Sequence, residues 1–162
     1  MNDAWEPEGK VMSDSLDVII VDDDQMVCTI ISEIIERFYT WGKVYAFTDM
    51  EEALSFCRSR ETGVAVFVLD VFLGEKSGFS FLDAISHKFP MVYEDTVIIT
   101  GNANDDVVNM CIASDITHLI EKPVRPYTLQ LAIRAIVMKY IKFAKRLLRD
   151  PELAESVARF QS

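Results

Sequence analysis

"VIIVDDDQ", residues 18–25, runs four β-branched aliphatic side chains straight into three carboxylates, Asp22, Asp23 and Asp24. The apolar run is short and rich in Val and Ile, which predicts a strand covered on both faces. Val27, Ile30, Ile31, Ile34, Ile35 and Phe38 follow at helical spacing. The same alternation then repeats along the chain. "KVYAF" (43–47), "VAVFVL" (64–69, closed by Asp70), "TVIIT" (96–100) and "THLI" (117–120) predict four more strands. Helices are predicted over "DMEEALSFCRSR" (49–60), where Thr48 and Glu51 have the spacing of a capping box, and over "NDDVVNMCIAS" (104–114). A loop with Gly74, Ser77 and Gly78 leads into another helix that Pro90 stops, and a long helix covers about 126–149. Five strand–helix units in alternation predict a parallel sheet with helices on both faces. Right-handed crossovers make it doubly wound.

The chain has 162 residues, half of them hydrophobic, which suits one domain with a sizeable core. No apolar run reaches the roughly 18 to 20 residues of a membrane span. The N-terminus is acidic and lacks the basic-then-apolar order of a signal peptide, so a soluble cytoplasmic protein is expected. Residues 1–15 are expected to form a flexible acidic tail. Cys28, Cys57 and Cys111 are widely spaced and show no metal-site pattern, so buried, reduced thiols are expected. A net charge of −10 argues against nonspecific nucleic-acid binding by the whole chain.

The polar residues stand at repeated places. Asp22 and Asp23 close the first strand, Asp70 the third, Thr100 the fourth and Lys122 the fifth. In an open α/β sheet the carboxyl ends of the strands are where ligands bind. Carboxylates crowded there stay ionised at neutral pH only beside a compensating cation. Hard oxygen ligands that leave room for water suit Mg²⁺. An aspartate can attack phosphorus to give an acyl phosphate, and a hydroxyl and an ammonium can steady the remaining phosphoryl oxygens. Asp24 reads as a helix cap rather than a ligand.

The ordered set VDDD, VLDVFLGEKSG, IITG and EKP resembles the receiver domain of bacterial response regulators, over about residues 16–140. Asp70 stands eight residues before Gly78, as the phosphoacceptor does before its loop glycine in that family. The resemblance implies a flavodoxin-like fold, strand order 2-1-3-4-5. It implies Asp70 as phosphoacceptor, and Asp22, Asp23, Asp70 and the backbone carbonyl of Phe72 as Mg²⁺ ligands. Thr100 becomes the switch hydroxyl and Lys122 the phosphoryl contact, with a cis Lys122-Pro123 bond. A histidine kinase or phosphotransfer protein would be the donor. Three positions depart from or tune the pattern. Leu119 stands where the family usually has an aromatic residue coupled to the threonine. Phe72 and Asn102, each two residues past a site residue, are expected to control water access and phosphoryl lifetime.

Two other classes compete. An aspartate-nucleophile phosphohydrolase of the haloacid-dehalogenase type wants a second Asp two residues after the nucleophile, where this chain has Phe72. A flavodoxin-like cofactor binder wants a hydroxyl- and glycine-rich phosphate loop after the first strand, which DDDQ does not supply. Nothing after residue 126 is long enough for a DNA-binding or catalytic output domain, so an unknown output protein is expected as partner, or the chain is a fragment acting as a binding module. Residues 141–162 are read as a helical extension. Leu129, Ile133, Ile136, Tyr140, Phe143 and Leu147 form a heptad-like seam, and a second helix begins at Asp150-Pro151. The seam is expected to pair two chains in a homodimer, the alternative being a helical hairpin. The basic residues Lys139 to Arg149 are read as a solvated helix face, and His87 and His118 as structural.

Overall fold

The computed structural model describes residues 15–160. The expected acidic tail lies outside that range except for Ser15. Five parallel strands form one sheet in the order β2-β1-β3-β6-β7, with β1 Val18–Val21, β2 Val44–Phe47, β3 Val66–Asp70, β6 Thr96–Thr100 and β7 His118–Glu121. A separate two-stranded hairpin, β4 Phe72–Leu73 and β5 Lys76–Ser77, lies in the loop after β3. Counting only the strands of the main sheet, the order is the expected 2-1-3-4-5, with Val18–Val21 at the point where the order reverses.

The period-2 alternation of side chains splits the core into two layers. Ile19, Val21, Phe67, Leu69 and Ile98 face one way, against Leu54 of helix α2 (Met50–Ser59), Phe81 and Leu82 of α3 (Gly78–Ile85) and Val107 of α4 (Asp105–Ala113). Val18, Ile20, Val66, Val68, Val97 and Ile99 face the other way. They meet Ile31 and Ile35 of α1 (Gln25–Glu36) and Leu129, Ile133 and Ile136 of α5 (Pro126–Arg149). The three central strands are buried at every residue, as unbroken apolar runs require, while the edge strands β2 and β7 are only partly covered.

Some local expectations shift. The cap of α2 is Asp49, whose carboxylate accepts from Glu52 N at 3.3 Å; the capping-box reading at Thr48 and Glu51 was one residue early. Helix α3 ends at Ile85, and hydrogen-bonded turns carry the chain past Pro90. Helix α5 runs unbroken through residue 141. Its first half packs on the sheet, and α6 (Pro151–Arg159), capped by Asp150, packs against α5 within the same chain. Lys139 is not merely solvated: with Tyr140 it grips the buried carboxylate of Asp95 at the foot of β6. The three cysteines are free and buried.

Candidate functional site

Adjacent strands bring the acids together. Because β1 pairs with β3, Asp22 and Asp70 leave the sheet side by side. One carboxylate oxygen from each of Asp22, Asp23 and Asp70 lies within 4.8 Å of the others. Asp22 is 1% exposed and Asp70 7%, whereas Asp23 faces solvent. The Lys122 ammonium reaches over from β7, donating to Asp22 Oδ2 at 3.1 Å and Asp70 Oδ2 at 3.0 Å. Its Lys122-Pro123 bond is cis, as the resemblance implied.

Backbone groups hold the remaining lone pairs. Asp24 N donates to Asp22 Oδ1 at 2.9 Å, and Phe72 N to Asp70 Oδ1 at 3.1 Å. Gly74 N donates to Asp23 Oδ2 at 3.2 Å; its φ of 65° turns the β4–β5 hairpin toward the cluster. Asp24 itself caps α1, accepting from Met26 N at 2.9 Å. Gly78 explains its own spacing from Asp70. A Cβ there would lie 2.4 Å from the Asp70 carbonyl oxygen, because Gly78 N donates to Val71 O at 2.7 Å.

The electrostatics follow from burial and pairing. Burial raises the Asp22 pKa above its ordinary value, and the bonds from Asp24 N and Lys122 offset this only in part. For Lys122 burial works downward, but the bonds to Asp70 and Asp22 outweigh it and the net shift is upward. The lysine is therefore a fixed cation. Three carboxylates against one ammonium leave two negative charges uncompensated in the cluster. All the donors are oxygens and one acid is open to water, which fits a hydrated Mg²⁺.

Thr100 ends β6 with its side chain buried and turned to its own loop. Its hydroxyl donates to Asn102 O and accepts from Asn102 N, both at 3.2 Å. Leu119 is half-buried and packs against the core, so no aromatic ring lies beside Thr100 from that position. Phe72 is 57% exposed beside the cluster. His87 and His118 lie away from it: α3 ends before His87, and His118 opens β7 at the opposite end of the sheet. One polar contact near the site had no signal in the sequence. The carboxylate of Glu121 accepts from Ala103 N at 3.1 Å.

A doubly wound five-stranded sheet with an acidic cluster at its switch point defines a class of flavodoxin-like signalling and binding domains. The response regulator receiver domain family model matches residues 18–134, and the chain belongs to that family, the receiver domains of two-component signalling. Among curated relatives it is 26% identical over 129 residues to the transcriptional regulatory protein CitT of Halalkalibacterium halodurans, covering 80% of this chain and 55% of that protein. The chain thus spans about half the length of the curated relative it matches. Among solved structures, the beryllofluoride-activated DrrB receiver domain, DrrB being a Thermotoga maritima protein, aligns with TM-score 0.64 at 24% identity, covering 76% of this chain and 97% of that one. A CheY-like receiver domain protein from Methanospirillum hungatei aligns with TM-score 0.67 at 21% identity, covering 78% and 96%. These structural likenesses bear on the fold. Among the described residues no helix is long and apolar enough to cross a membrane.

Proposed function

We propose that the protein is a phosphoryl-accepting switch, in which Asp70 takes a phosphoryl group from a histidine kinase or phosphotransfer protein with Mg²⁺ as cofactor. The convergence of Asp22, Asp23, Asp70 and Lys122 at the strand ends carries this reading. Asp22, Asp23, Asp70 and the Phe72 carbonyl would hold the metal, which when bound supplies positive charge against the phosphoryl oxygens. A carboxylate oxygen of Asp70 attacks phosphorus, a P–O bond forms, and the bond to the donor's leaving atom breaks. Lys122 moves its hydrogen bond from the Asp70 carboxylate to a phosphoryl oxygen. Thr100 exchanges its Asn102 partners for another such oxygen. The chain catalyses its own phosphorylation and dephosphorylation and turns over no separate substrate.

Drawing in Thr100 would shift the population of the face formed by α4, β7 and α5. Exposed Met110, Ile112, Tyr127 and Leu131, with a groove of about 330 Å³ between β7 and α5, give that face apolar surface for an output protein. Residues 16–140 would be the receiver proper and 141–162 an extension. There Phe143, Leu148 and Phe160 remain exposed and are available to pair two chains; a monomer mass that does not change with concentration would reject that pairing.

Intact mass after incubation with acetyl phosphate and Mg²⁺, with an Asp70→Asn control, tests the chemistry. One phosphoryl adduct that requires both Mg²⁺ and Asp70 is expected. No adduct and no phosphate release would indicate a degenerate receiver acting as a binding module. Continuous phosphate release would favour a phosphohydrolase.

A further inference from the structure

We propose that Glu121 is a positioning residue that tethers the loop between β6 and α4 away from Asp70, setting how readily the switch accepts a phosphoryl group; this rests on the phosphoacceptor reading above. The sheet order makes the case. β6 lies between β3 and β7, with Asp70 level with Ile99 on one flank and Glu121 paired with Thr100 on the other. Asp70 and Glu121 therefore flank, from opposite sides, the end of the strand that leads into this loop.

The loop is held residue by residue. The Thr100 hydroxyl is closed onto Asn102. The next amide, Ala103 N, donates to Glu121 Oε2. Asn104 then caps α4, accepting from Val107 N at 3.0 Å. The backbone at Glu121 is anchored because Lys122 N donates to Thr100 O at 2.8 Å, locking the end of β7 to β6. Packing does little to hold the turn: a Cβ added at Gly101 would meet no atom within 4 Å. Hydrogen bonds thus set the position of this loop, and the one to Glu121 is the only one among them made to a charged side chain on a neighbouring strand.

For Thr100 to reach a phosphoryl group on Asp70, the turn from Thr100 to Asn102 must open toward β3. Ala103 then moves away from β7, and its bond to Glu121 breaks. The bond therefore belongs to one of the two loop positions, and any group that stabilises one position alone shifts the equilibrium between them. Leu119 sharpens the point. With no aromatic ring at that position to follow the threonine, the neighbouring strand biases the loop through Glu121 instead.

The test is titration of the full chain with beryllofluoride, a tetrahedral phosphoryl mimic, in Mg²⁺, read by amide resonances, alongside solvent exchange of the Ala103 amide without ligand. Glu121→Ala should speed Ala103 exchange and tighten beryllofluoride binding about three- to tenfold, the equivalent of one exposed hydrogen bond. Glu121→Gln, which keeps an acceptor oxygen, should restore most of the wild-type behaviour. Wild-type binding matched by Glu121→Ala would overturn the tether while leaving the phosphoacceptor reading intact. So would weaker binding in Glu121→Ala, or a Glu121→Gln variant that behaves like alanine. A wild-type chain that binds no beryllofluoride would sink the phosphoacceptor reading and the tether with it.

Discussion

Replacing Gly78 with alanine should destabilise the protein, although residue 78 is the first of a helix and alanine is the better helix former. The added Cβ would sit 2.4 Å from the Asp70 carbonyl oxygen, 3.3 Å from its carbon and 3.6 Å from Val71 Cα. All three are main-chain atoms, so no side chain can swing aside. The carbonyl must retreat by at least roughly half an ångström, which strains the 2.7 Å bond from Gly78 N to Val71 O. Overpacking of this kind costs about 1–3 kcal/mol, and a weakened hydrogen bond adds up to about 1 kcal/mol. The helix gain offsets at most about 1 kcal/mol. A net loss of about 1–3 kcal/mol is expected, read as a lower urea midpoint at unchanged slope. The shift also moves Asp70, so phosphoryl uptake should fall with stability. Gly101→Ala is the control, since nothing lies within 4 Å of its added Cβ, and it should stay within about 0.5 kcal/mol of wild type. A Gly78→Ala protein as stable as wild type, or more stable, would refute the reasoning.

Phe72→Asn should speed loss of the phosphoryl group from Asp70, because a half-exposed ring beside the cluster is replaced by a group that can hold water; an unchanged hydrolysis rate counts against shielding. Lys122→Met leaves the Asp22 and Asp70 carboxylates buried without their cation. With Lys122 partly exposed, the loss without metal should be about 1–3 kcal/mol, below that of a fully buried pair, and Mg²⁺ should raise the melting temperature of both proteins, more so for the variant; no Mg²⁺-dependent rise in either would argue against a metal at this cluster. Tyr140→Phe removes a donor to Asp95, whose pKa is raised chiefly by burial, with Lys139 and Tyr140 opposing. Because the fold disfavours the Asp95 charge, stability falls as pH rises from its ordinary 3.8 through the folded value. The variant's deficit of about 1–2 kcal/mol should therefore be largest near neutral pH and shrink in acid; a pH-independent deficit would show that packing alone was lost. Burial pushes the Cys28 thiol up to about 11 and Cys57 to about 12, and raises Cys111 as well. A disulfide reagent at pH 8 should label the native protein slowly at every cysteine, and one fast equivalent would contradict that.

What could be read from the sequence was whatever a period or a repeated position encodes. The runs VIIV, VFVLD and TVIIT became the three buried central strands, and the acids that close the first two lie together in one cluster. Features set by distance along the chain had no such signal. Asp95 meets Lys139 and Tyr140 from 44 and 45 residues away, and each looks ordinary among its neighbours. The α2 cap was ambiguous because Thr48/Glu51 and Asp49/Glu52 both have capping spacing, and only the backbone decides between them. The β4–β5 hairpin is two residues per strand, too short to show any alternation. Glu121 is one exposed acid among many until the sheet order sets it opposite Asp70.

Strand order turns an unfavourable sequence into a usable charge distribution. Asp22 and Asp23 end one strand and Asp70 its neighbour, so the sheet itself enforces their closeness at no further cost in loop ordering. A buried pair of like charges would ordinarily shed one by protonation. Here Lys122, drawn from two strands further along the sheet, donates to both buried acids and sets one positive charge between them without cancelling the cluster. The surplus of two negative charges is what a divalent cation would neutralise. An incoming phosphoryl group would otherwise meet that same surplus as repulsion. On the proposed function the lysine and a metal would divide the work: the lysine holds the acids in place without metal, and a bound cation would make them approachable.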